Sequence, residues 1–125
     1  PANVSQAIAV AKNLKSEQGK ITLVTVLAAI PPYVVEHLPE GQMELNRKTA
    51  ESQLKAYTHG EGDLDTLVIS NSPSSAGAML VELAVKSEAD LMVIASHRPG
   101  LKDYFLGSTA GRVVRHSPCA VHVLR

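Results

Sequence analysis

Aromatic residues are scarce: three tyrosines, one phenylalanine and no tryptophan among 125 residues. So few rings leave no basis for the stacking platforms on which single-stranded nucleic acids are held. An excess of either charge is also missing, since 12 Lys and Arg offset 12 Asp and Glu. Without concentrated basic residues there is no electrostatic reason to expect long nucleic-acid or anionic-membrane contacts. The single cysteine, Cys119, excludes an internal disulfide framework and suits a reducing compartment. No run approaches the roughly 18 consecutive apolar residues needed to cross a bilayer. The opening Pro1-Ala2-Asn3-Val4-Ser5-Gln6 lacks the basic and apolar regions of a signal peptide. A soluble, cytoplasmic protein is expected. No initiator Met stands at the front, so the natural chain is expected to begin earlier.

What is present suits one globular domain over residues 1–125. Hydrophobic residues make up 45% and charged residues 19%, outside the range of disordered chains. A chain near 150 residues hides about two-thirds of its unfolded surface, enough for a core. No linker, low-complexity segment or tandem repeat interrupts the sequence.

Helical and extended patterns alternate along it. Val4, Ala7, Ile8, Ala11 and Leu14 recur at steps of three and four, predicting a helix over 3–17 that Gly19 stops. Residues 20–27, rich in β-branched side chains, predict a buried strand. Residues 31–39 predict a loop, and 40–57 a weaker helix with Met43, Ala50, Leu54 and Tyr57 on one face and Arg47, Lys48 and Lys55 solvated. His59-Gly60-Glu61-Gly62 marks a break. A strand over 64–70 follows, then a helix from Pro73-Ser74-Ser75 through Glu88 whose stripe is Ala76, Met79, Leu80, Leu83 and Ala84. Residues 89–95 predict a short apolar strand, 108–116 a last helix ended by Ser117-Pro118, and 120–124 a closing strand.

The order α-β-α-β-α-β-α-β gives an α/β, Rossmann-like fold, because right-handed crossovers lay such strands into a parallel sheet covered on both faces. Doubly wound units open with a strand, whereas this sequence opens with a helix. The expectation is a three-layer sandwich around a parallel five-stranded sheet, its first strand preceding Pro1.

Ligands of such sheets bind beyond the carboxyl ends of the strands. The loop after Ala95 is conspicuous there. It runs for twelve residues, 96–107, where about two to six are usual. Ser108 and Thr109 then open a helix, whose first amides and partial positive charge suit a phosphate. Gly107 would let an oxygen approach the main chain, the Arg98 guanidinium could take an oxyanion through paired N–H groups, and His97 could add a donor. The alternative is that Gly107-Ser108 forms a turn followed by an ordinary N-cap.

Three stretches carry a resemblance: Val93-Ile94-Ala95-Ser96-His97-Arg98-Pro99-Gly100-Leu101-Lys102, Leu106-Gly107-Ser108-Thr109-Ala110, and Val113-Val114-Arg115-His116-Ser117-Pro118-Cys119-Ala120-Val121-His122-Val123. Together they resemble the C-terminal third of the universal stress protein family, and the remaining elements match in order. The Ser-His-Arg-Pro wording resembles its F-type branch. The family's nucleotide motif is Gly, two residues, Gly, nine residues, Gly, then Ser or Thr. Here Ala95 and Arg98 stand at the first two glycines, and eight residues separate Arg98 from Gly107. F-type relatives share this departure and are expected to bind ATP, which implies that Arg98 replaces a main-chain phosphate contact with a side-chain one.

The resemblance further implies that the Val26 backbone meets adenine and that Ile94 packs beside it, although both are also ordinary core residues. The implied nucleotide site is thus Val26, Ile94, Ala95, Ser96, His97, Arg98, Gly107, Ser108 and Thr109, taking ATP or AMP with Mg²⁺ accompanying the nucleotide. Asn71, where the family usually has a glycine, reads as structural, with a ribose contact as the minority view. The implied role is a nucleotide-responsive stress regulator, and no placed base suggests more than slow hydrolysis. The alternative is a dimeric, stress-induced interaction module that binds no nucleotide. The resemblance also implies a homodimer through Ala120 to Leu124, which would otherwise be an exposed edge.

Other groups point nowhere specific. His37, His59, His97, His116 and His122 show no metal-ligand spacing, so no metal site within the protein is expected. Cys119 reads as a small core residue, and Lys102 and Asp103 as a solvated pair.

Overall fold

The structure is a computed structural model that describes residues 2–27, 30–70, 75–95 and 106–124, with side chains from Val4 onward. Its elements run α1 (Ala2–Leu14), β1 (Ile21–Leu27), α2 (Pro32–Val35), α3 (Gln42–Ala56), β2 (Leu64–Ser70), α4 (Ala76–Lys86), β3 (Leu91–Ala95), α5 (Ser108–His116) and β4 (Ala120–Leu124). They form two compact units, one of Lys15–Pro73 and the other of Pro1–Leu14 with Ser74–Arg125.

In the first unit β1 and β2 pair in parallel, Ile21 opposite Leu64 through Leu27 opposite Ser70. Helix α3 packs on both strands. Its contact is made by the C-terminal half, where Leu54 is buried and Ala50 and Tyr57 are half-buried. Met43, expected on that face, is 54% exposed. Residues 31–39, expected to be loop, contain the single helical turn α2. Pro32 stands at its first position, where a fixed φ favours helix and the missing N–H costs nothing. Arg47 is not simply solvated: its Nη2 donates to the Val68 carbonyl at 3.3 Å.

In the second unit β3 and β4 pair in parallel, Leu91 opposite Ala120 through Ala95 opposite Leu124. Helix α1 packs on β3, while α4 packs on α5 and α5 on β4. The core here is Ile8, Ala84, Ala110 and Val113. Leu14, expected in the α1 stripe, is 56% exposed at the helix end. The helix stops three residues short of the expected boundary, beyond which 17–18 form a turn closed by the Gly19 amide on the Ser16 carbonyl at 3.0 Å. Cys119, expected in the core, is half-buried in the turn between α5 and β4. There Ser117 Oγ accepts the Cys119 amide at 3.1 Å and donates to the Cys119 carbonyl at 2.9 Å.

Among the described residues the strands therefore form two parallel pairs rather than one five-stranded sheet. Neither β1 nor β3 contains a fully buried residue, although both have the continuous apolar character of strands covered on both sides.

Candidate functional site

Topology decides where chemistry can sit. Helix α5 joins β3 to the parallel strand β4, so it runs back against them and its N-terminus lies toward their carboxyl ends, the ligand-binding side of such sheets. Ile94 and Ala95 close β3 opposite Val123 and Leu124. Ile94 is half-buried and Ala95 exposed.

Helix α5 begins differently from α4. Ser75 caps α4, its Oγ accepting the Ala78 amide at 3.3 Å. The capping position of α5 is Gly107, at φ −61° and ψ 162°, which has no side chain to cap the helix. Ser108, the expected cap in the alternative reading, is instead the first helical residue and is exposed; Thr109 behind it is half-buried. The helix starts with amides to which its own turn gives no acceptor, two hydroxyls beside them, and no acidic residue in the first turn. A helix start of this kind can take an anion.

Ser96, His97 and Arg98 lie outside the described residues, as do Asn71, Lys102 and Asp103. Val26 is half-buried near the carboxyl end of β1, opposite Ile69, in the other unit from Ile94, Ala95, Gly107, Ser108 and Thr109. A groove of about 610 Å³ opens between Lys55 and Thr58 at the end of α3 and Leu64 to Thr66 at the start of β2. It faces the amino end of its strand, the wrong end for a nucleotide in this topology. Among the described residues no helix is long and apolar enough to cross a membrane.

Sequence reasoning passed over Gly77. It is buried in the first turn of α4, and an added Cβ would stand 2.9 Å from the Cβ of Arg112 on α5. Its only signal in the sequence is a glycine inside an apolar helical stretch, which costs about 1 kcal/mol against alanine and so hints at close packing.

Comparison with known proteins agrees with this layout. The structure matches the universal stress protein UspA from Lactobacillus plantarum with a TM-score of 0.67 at 20% identity, covering 99% of this chain and 88% of that one. It matches the protein MJ0577 with a TM-score of 0.68 at 20% identity, covering 98% and 87%. It also matches a universal stress protein in complex with cAMP, with a TM-score of 0.52 at 25% identity, covering 98% and 82%. The model of the universal stress protein family matches residues 4–125. An α/β chain of parallel strands with an open helix start at their carboxyl ends, matched over nearly its whole length, belongs to the universal stress protein family.

Proposed function

We propose that this chain is an ATP-binding regulator of the stress response, from the F-type branch of its family, with at most slow hydrolysis. The observation that carries the reading is the start of α5, where a glycine stands at the capping position and Ser108 and Thr109 present hydroxyls beside amides to which the helix's own turn gives no acceptor. The match to a relative in complex with cAMP supports a nucleoside phosphate as the ligand class. In this reading the phosphates rest on Gly107, Ser108 and Thr109, joined by Ser96, His97 and the Arg98 guanidinium. The base lies against Ile94 and Ala95. AMP would use the same residues with fewer phosphate contacts.

The residues present fit an anion. Two hydroxyls and a helix N-terminus donate hydrogen bonds, and no acidic side chain stands in the first turn to repel it. Among the described residues no three His, Cys, Asp or Glu side chains gather, so Mg²⁺ would be held through the phosphate oxygens. The sheet expected around the site is five-stranded, with the protein dimeric through Ala120 to Leu124.

The test is mass analysis of the nucleotide released from purified protein, with Gly107→Val beside it. The backbone angles at Gly107 are open to valine, so the helix start should survive while the new methyl groups occupy the phosphate approach. ATP or AMP from the parent and none from the variant is the expected result. Equal retention by both removes α5 from the site. No nucleotide from the parent, with no ATP uptake on titration, favours the non-binding interaction module, which the two replaced glycines also suit.

A further inference from the structure

We infer that residues 33–45 form a docking surface for a second copy of this chain, which meets it with the basic outer face of α5. The stretch is notable for what it leaves uncovered. Tyr33 is 70% exposed, Val35 37%, Met43 54% and Leu45 56%, half of the large hydrophobic side chains exposed among the described residues. Scattered exposed hydrophobics are ordinary, whereas a concentration of them marks an interaction surface. Helix α2 buries no residue. The backbone is nevertheless held in successive turns. The Glu36 amide bonds to the Pro32 carbonyl at 3.3 Å, Leu38 to Val35 at 3.1 Å, Gln42 to Pro39 at 3.1 Å and Leu45 to Gly41 at 2.9 Å. A surface formed in advance has less order to gain on binding.

Charge selects the partner. Residues 31–46 carry three exposed carboxylates, Glu36, Glu40 and Glu44, and no Lys or Arg. Such a surface repels nucleic acid and anionic lipid and attracts a basic protein face. The chain has one of its own. Helix α5 holds no acidic residue. Arg112, Arg115 and His116 are exposed on it, at spacings of three and four that share one face. Beside Arg115 lies Val114, 46% exposed. Among the described residues neither arginine is in an ion pair, and neither is any of the three glutamates. Because the two faces differ, the contact is head-to-tail and links copies into rings or chains. It does not use the β4 edge.

The experiment is sedimentation equilibrium at low salt and at about 1 M NaCl, where the Debye length falls to about 3 Å. The mass of the parent should rise with concentration at low salt and fall to a salt-resistant value at high salt. Glu36→Lys/Glu40→Lys/Glu44→Lys reverses one face and Arg112→Glu/Arg115→Glu the other. Each variant alone should associate roughly tenfold or more weakly than the parent. An equimolar mixture should regain association, because each variant then offers the charge that the other lacks. Met43→Ser/Leu45→Ser, which alters no charge, should also weaken the parent. If Arg112→Glu/Arg115→Glu does not fold, Arg115→Glu alone takes its place. A parent whose mass is the same at every concentration and salt overturns the inference and leaves the surface to an unlike basic partner. A mixture that fails to regain association overturns it too. Association undiminished in Met43→Ser/Leu45→Ser is general charge attraction and counts equally against it.

Discussion

Ser75 Oγ accepts the Ala78 amide at 3.3 Å, and α5 has no side chain in the equivalent role. Two helices of one unit thus begin differently: α4 with a side-chain cap from Ser75, α5 with a glycine at the capping position. Ser75→Ala should cost about 1 kcal/mol of stability, as loss of an N-cap commonly does. Urea unfolding should show a lower midpoint with an unchanged slope.

Arg47 holds β2 from α3. Its Nη2 reaches the Val68 carbonyl at 3.3 Å, while its Nε lies 3.4 Å from Glu51 Oε1 with both side chains nearly half exposed. The solvated ion pair is worth only a few tenths of a kcal/mol. The bond to the strand carbonyl satisfies a backbone acceptor in a part-buried setting and contributes about 1 kcal/mol or more. Arg47→Ala should therefore destabilise clearly more than Glu51→Ala in parallel denaturation curves. Equal losses would assign the effect to the ion pair.

Glu88 terminates α4 with φ +55°, and the amides of Glu88 and Ala89 close the turn on the Val85 and Ala84 carbonyls. Glycine is the usual residue at this left-handed position. A residue with a Cβ costs about 1–2 kcal/mol there, partly offset by the greater unfolded-state freedom of glycine. Glu88→Gly should raise the thermal midpoint, whereas the β-branched Glu88→Val should lower it.

Much of this fold is legible in the sequence. The limits of β2, α5 and β4 follow from β-branched runs and from the Gly107-Ser108 and Ser117-Pro118 punctuation, and the structure reproduces them. Periodicity failed where it reports apolar spacing without saying what lies opposite. Met43 and Leu14 fit their stripes but are more than half exposed. The Pro32 turn was missed because a four-residue helix is too short for a period. Gly77 was missed because its reason lies in Arg112, 35 residues away on another helix. For the candidate site, the Gly107-Ser108-Thr109 start was legible as a spacing. The absence of a capping side chain was not, since it depends on which residue enters the helix first.

Strand β4 supports an oligomer prediction. Among the described residues it pairs on one side only, with β3, and Val121 and Val123 are half-buried within it. An open apolar edge of this kind is usually covered. Val121→Lys with Val123→Lys should convert a dimer into monomers by light scattering at unchanged helix content. A persistent dimer would place the interface elsewhere.

The most direct measurement is of the backbone amides of Ser108, Thr109 and Ala110 by ¹⁵N NMR during titration with MgATP and, separately, adenosine. Large shifts in these three amides with MgATP, and small ones with adenosine, are the predicted outcome. Amides at the head of α5 that stay unmoved while ATP binds, or that respond equally to adenosine, would contradict a phosphate seated there.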